Sequence, residues 1–193
     1  MHDVEFASAL AKIDIAQVIS RLARGTDRRD ETLLRSCYHS DATDDHNMFR
    51  GSATEFVDLI MSAATTNWAI TSHTLSPPII EVLGMRAWAE TTAIGHHVMH
   101  QDSEGHRNDF VIGARYEDSF ERRDGQWRIS HRTVIYDWAG RLELISDGLA
   151  SRTMPFPEHF TIGTRDGNDP SYAARTLALT QPDPPDDVSL TPR

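Results

Sequence analysis

The sequence predicts an α+β fold in which a strongly curved antiparallel sheet wraps, cone-like, around N-terminal helices and encloses a cavity. Three observations carry this. Asn108 to Trp138 reads as two alternating runs of aromatic and β-branched residues joined by Asp124-Gly125, the strongest short-range hairpin signal. Both arms exceed an average strand, so they form the central pair of the sheet. Before Trp68 the apolar spacing is helical, and after it the pattern alternates.

Phe6, Leu10, Ile13, Val18 and Leu22 predict a long amphipathic helix over residues 3–24. Gly25 is expected to end it, with Thr26-Asp27 as the exit. A short second helix covers about Glu31 to Tyr38, with Leu33, Leu34 and Cys37 inward. Asp41 to Phe49 is polar and reads as turns, with room for one short strand. Ser52 followed by Glu55 is a capping box for a third helix, whose apolar face is Phe56, Leu59, Ile60 and Ala63. Ala69 to Thr74 and Ile79 to Leu83 read as one strand interrupted by Pro77-Pro78, which marks a bulge or bend. Arg86 to His100 is the next strand, Gln101 to His106 a polar loop, and the hairpin follows. After Gly140 prolines break the pattern: Ser171 to Leu179 is at most a short helix, and 181–193 reads as disordered. The chain divides into a domain over 1–140 and a partly irregular extension over 141–193.

With 193 residues and 39% hydrophobic content the chain is long enough for a sizeable core. The formal net charge of −10, without a basic patch, argues against nucleic acid. No apolar run approaches the ~20 residues a membrane span needs, and the N-terminus lacks signal-peptide character. The single cysteine, Cys37, cannot form an internal disulfide. A soluble, cytoplasmic protein is expected.

The helices followed by a sheet that carries Tyr116-Glu-Asp-Ser-Phe-Glu-Arg-Arg-Asp-Gly-Gln-Trp-Arg-Ile-Ser-His-Arg132 resemble the SnoaL-like branch of the nuclear-transport-factor-2-like superfamily, over roughly residues 5–140. The resemblance implies a cystatin-like roll. The superfamily includes ketosteroid isomerase, scytalone and bile-acid dehydratases, a dehydrochlorinase, polyketide cyclases, dioxygenase small subunits and non-catalytic binders, so fold alone does not fix function. A sharper similarity is to the dehydratase–dehydrochlorinase subgroup, through Ala-Arg-Gly-Thr-Asp27-Arg-Arg-Asp and Ile-Thr-Ser-His73-Thr-Leu. It implies an Asp27–His73 dyad with His73 as general base and Arg132 as an anion-stabilising partner.

Imidazole titrates near working pH, so a histidine serves as a base with little tuning. A carboxylate on its other nitrogen fixes the tautomer and stabilises the imidazolium. Tyr38, His97, Tyr116 and Trp138 are the candidates for substrate binding. Blander roles stand beside these: Asp27 as a turn or capping residue, His73 as a satisfied core histidine, Arg132 as a surface cross-strand partner of an acidic residue. His96 and His100 share one strand face and His97 the other, a poor chelating pattern even with His106 and Asp109 nearby, so no metal is expected. Asp44-Asp45-His46 reads as a solvated loop, and Cys37 as core. Alternation leaves open whether the His131 or the Arg132 face of its strand lines the cavity. The expected activity is a cofactor-independent dehydration of a hydrophobic hydroxylated carbonyl compound such as a steroid, bile acid or polycyclic aromatic. Competing readings are a double-bond isomerase and a binding module or dioxygenase small subunit. A homodimer or homotrimer is expected.

Overall fold

The computed structural model describes residues 2–105, 108–141, 161 and 163–180. In chain order the elements are α1 (His2–Arg28), α2 (Glu31–Ser36), β1 (Tyr38–Asp45), β2 (Arg50–Ser52) and α3 (Ala53–Thr66). Then come β3 (Trp68–Leu75), β4 (Ile79–Leu83), β5 (Arg86–Met99), β6 (Phe110–Arg123), β7 (Gln126–Arg141) and α4 (Pro170–Thr180). Asp124 and Gly125 take φ of 51° and 78°, the left-handed pair of a tight turn whose twist suits the β6–β7 hairpin. The strands form one sheet in the order β2-β1-β7-β6-β5-β3, with β4 also on β5. β3 and β4 lie end to end along β5, separated by Ser76-Pro77-Pro78, where a proline cannot donate to the ladder. The result is an α+β architecture with a large, curved, unclosed sheet. The expected disorder of 181–193 lies outside the described residues, as does His106.

Three expectations are corrected. Helix α1 does not stop at Gly25 but runs through it to Arg28. A Cβ on Gly25 would sit 3.0 Å from the Leu34 nitrogen, so the glycine marks the close approach of α2 rather than an end. Arg29, with φ of 53°, turns the chain, and Asp30 then caps α2 by accepting from Leu33 N–H at 2.9 Å. Asp27 therefore stands in the last turn of a helix, not in an exit loop.

The buried face of α1 is Ala11, Ile15, Val18, Ile19 and Leu22, whereas Phe6, Leu10 and Ile13 are exposed. Two apolar stripes wind around this helix, and only the one touching Leu34, Ala89, Phe120 and Ile129 is core. Each fully buried Ile or Leu there contributes about 1.5–3 kcal/mol. Finally, the polar stretch after Cys37 is an eight-residue strand, β1, parallel to β7, with Asp44 opposite Arg132. Its buried positions include His39 and Asp44, whose hydrogen bonds let polar residues face inward, which hid the strand from hydropathy.

Candidate active site

On β5 the odd-numbered residues point inward. Ala87 and Ala89 belong to the core, while Ala93, Gly95 and His97 line a cavity of about 330 Å³, at the lower end of the size range of small-molecule sites. Phe56 and Ile60 of α3, Phe110 and Ile112 of β6, and Trp68 make most of its wall apolar. His73 lies opposite Gly95 in the β3–β5 ladder and enters the same cavity. The Asp27 carboxylate holds it twice: Oδ2 accepts its main-chain N–H at 2.8 Å, and Oδ1 pairs with Nδ1 at 2.7 Å. An ionised carboxylate only accepts, so the shared proton sits on Nδ1, and of the two neutral tautomers the pairing selects the one with its lone pair on Nε2. Burial raises the Asp27 pKa, but the bonds from His73 and the Thr71 hydroxyl outweigh it and hold the group below its ordinary value.

His97 stands edge-on to His73 at 5.9 Å and stacks on Phe110 at 4.6 Å. Burial, reinforced by His73, pushes its pKa down to about 4, so it is a neutral wall residue. A Cβ on Gly95 would lie 3.1 Å from His97 Cε1 and 3.4 Å from His73 Nε2, so only glycine leaves both rings their places. Among the described residues, no three His, Cys, Asp or Glu side chains are grouped to hold a metal ion.

The opposite wall comes from β6 and β7. The β6–β7 register slips between Ser119 and Phe120 and again between Gly113 and Ala114, each slip inserting one extra residue, Ser130 and then Asp137, into β7. Inward-facing Trp127 and Ile129 are therefore followed by Arg132, Val134 and Tyr136. Arg132 is fully buried and donates to Asp118 from Nε at 2.6 Å and Nη2 at 2.7 Å. It is a cross-strand pair, but an interior one, beneath the Tyr116 ring at 4.3 Å. Burial opposes its charge, yet Asp118 prevails and raises its pKa. Burial also pushes the Tyr116 phenol up to about 12, so it stays a neutral donor in the cavity wall.

Two proposed contacts are corrected. Tyr38 is buried away from the cavity, its hydroxyl donating to Asp44 Oδ2 at 2.9 Å. Trp138 lies across Gly113 on the outer face, half-exposed, because the bulge at Asp137 reverses the alternation before it.

Residues 7–133 match the family of SnoaL-like domains. The chain belongs to that family. No curated protein matches the sequence significantly. Among solved structures, hexachlorocyclohexane dehydrochlorinase LinA-type3 from Novosphingobium barchaimii is 21% identical, with a TM-score of 0.61 over 69% of this chain and 91% of its own. A scytalone dehydratase-like protein from Novosphingobium aromaticivorans is 16% identical, with a TM-score of 0.63 over 75% of this chain and 93% of its own. A nuclear-transport-factor-2-like protein from Salmonella enterica is 19% identical, with a TM-score of 0.59 over 66% and 92%. At such identities the likeness is one of fold.

Two features around the SnoaL-like cavity were not legible beforehand. Arg165, beyond the matched domain, donates to the carbonyls of Thr26 (3.2 Å), Asp27 (3.1 Å) and Trp68 (2.8 Å) and to the Thr71 hydroxyl (3.0 Å). Arg165 can only donate, so Thr71 accepts from it, and the Thr71 hydroxyl in turn helps to lower the Asp27 pKa. Arg165 thus braces the Asp27–His73 pair through the Asp27 carbonyl and Thr71. Following it, α4 docks through Tyr172 on Asp30 and Ser171 on Arg24. The second feature is His46, which lines the cavity with Nδ1 paired to Asp44 Oδ1 and its ring stacked on Phe56 at 4.1 Å. Asp44 is not solvated: it is 1% exposed. The i, i+2 spacing of Asp44 and His46, across the end of β1, was the available signal.

Proposed function

We propose that this protein is a cofactor-independent lyase that dehydrates a hydrophobic hydroxylated carbonyl compound. The observation that supports the reading best is the Asp27–His73 pair, with Nε2 of His73 unpaired among the described residues and facing an apolar cavity. In this mechanism His73 Nε2 takes the proton from the carbon next to the carbonyl. Asp27 keeps Nδ1 protonated and stabilises the imidazolium that forms. The carbonyl oxygen gathers negative charge and receives hydrogen bonds from the Tyr116 hydroxyl and from Arg132 N–H groups that Asp118 leaves free. His97, uncharged, keeps water and a competing cation away from the base.

Dehydrochlorinase and dehydratase-like proteins among the structures of this fold favour elimination over mere binding. The test is to incubate wild type and His73→Ala with hydroxylated aromatic and steroid ketones, following mass and absorbance. Loss of one water with new conjugation, by wild type alone, is the expected result. New conjugation at unchanged mass would make the protein an isomerase. A raised melting temperature without turnover would make it a binding module.

A further inference from the structure

Elimination of hydroxide needs more than a base, because hydroxide is a poor leaving group and departs readily only as water. His73 cannot donate that proton while it is taking another. His97 is disqualified by its burial, which lowers its pKa to about 4, and its Nδ1 has no partner. The cavity contains one further imidazole, His46, at the joint between β1 and β2.

The construction around His46 mirrors that around His73. Its Nδ1 is bound to Asp44, whose side chain is fully buried and whose other oxygen accepts from the Tyr38 hydroxyl at 2.9 Å. Nε2 makes no hydrogen bond among the described residues. Its main chain is pinned as well: its N–H donates to Phe49 O at 2.9 Å, and Asn47 Nδ2 donates to Val134 O at 2.8 Å. Asp44 lies opposite Arg132 in the parallel β1–β7 pairing, but that arginine is already neutralised by Asp118.

The surroundings of the two imidazoles differ in their neighbours. The residues that hold His73 are braced by the Arg165 guanidinium, bonded to Thr71 and to the Asp27 carbonyl. His46 lies face to face with Phe56 at 4.1 Å and 19°. The buried Asp44 carboxylate on Nδ1 and the Phe56 ring together fix the orientation of this imidazole in the cavity wall.

We infer that His46, oriented by Asp44, is the general acid that protonates the departing hydroxyl, so that the cavity holds two His–Asp pairs with opposite tasks. This rests on the dehydratase reading above. His73 Nε2 removes the proton, the C–H electron pair becomes the new C=C bond, and the C–O bond breaks. The oxygen leaves with its bonding pair, takes the proton from His46 Nε2 and departs as water. His73 ends protonated and His46 neutral, and exchange with solvent restores both. No oxidant, reductant or second substrate is involved.

The test compares β-hydroxypropiophenone with β-chloropropiophenone, which both give phenyl vinyl ketone, by absorbance. Chloride leaves without a proton, so only the first compound needs the acid. In His46→Gln and Asp44→Asn, turnover of the hydroxy compound is expected to fall on the order of a hundredfold. That fall should exceed the loss with the chloro compound at least tenfold. His73→Ala should suppress both compounds alike. Melting temperatures of the three variants show that each is folded, and Asp44→Asn, nearly isosteric, guards against damage by one replacement. Equal losses on both compounds would reduce His46 to a wall residue and overturn the inference. So would a leaving-group effect that appears in the His73 variant instead. Wild type that eliminates chloride but not water would also sink it while leaving proton abstraction by His73 standing. Silence of wild type on both compounds would overturn the dehydratase reading itself.

Discussion

Asp27→Asn keeps the shape of the side chain but offers Nδ1 of His73 an amide in place of an acceptor-only carboxylate. The imidazole loses its fixed tautomer and the charge that stabilises its protonated form. We expect turnover to fall by about a hundred- to ten-thousand-fold, with little change in melting temperature, a split that kinetics and thermal denaturation on one preparation would reveal. His97 gives a second residue-level expectation. Its pKa is about 4 in the folded chain against an ordinary 6.5, so the unfolded state binds the extra proton between those values. Stability from this group is complete above about 6.5 and is lost as pH falls toward 4, to roughly 3 kcal/mol at most. The groups facing it are His73, Asp27 and Arg165. His97→Phe should flatten the acid side of a pH–melting curve; an unchanged slope would contradict the assignment. The Asp27–His73 pairing was legible through family resemblance, because helix end and strand start occupy fixed places in the cone. Asp44–His46 was not, since hydropathy reads a charged triplet as solvent-facing whenever its hydrogen bonds are invisible.

At the scale of elements, the helices and the hairpin followed from local rules: the Ser52–Glu55 capping box and the Asp124-Gly125 turn are both present. What escaped was phase. Alternation along β7 could not say whether Arg132 or His131 faces inward, because the extra residues at Ser130 and Asp137 each reverse it. A bulge depends on the partner strand and leaves no mark in one sequence. The segment around Arg165 was equally illegible, as its partners are main-chain carbonyls at residues 26, 27 and 68. These bonds predict that Arg165→Ala costs about 2 kcal/mol, some 4–8 °C in melting temperature for a chain of this size. Because Arg165 braces Thr71 and the Asp27 main chain, kcat should fall more than KM rises. A variant that melts earlier with unchanged kcat would leave Arg165 as a clamp only.

For the whole molecule, the Arg132–Asp118 pair is the most consequential choice. It joins the two central strands where core gives way to cavity, and both side chains are nearly inaccessible to water. A domain holds only about 5–15 kcal/mol of net stability, and leaving one buried charge without its partner costs about 3–5 kcal/mol. Asp118→Leu alone should therefore lower the melting temperature by roughly 10 °C or more. Replacing both, as Asp118→Leu with Arg132→Met, removes the charges together and should restore most of the loss. The double variant separates two roles that the geometry combines in Arg132. If the guanidinium serves only as a strut, activity returns with stability. If it also donates hydrogen bonds to the carbonyl oxygen, the rescued protein melts normally and still turns over slowly, with the deficit in kcat. We expect the second outcome, because Arg132 lines the cavity while its bonds to Asp118 use only Nε and Nη2.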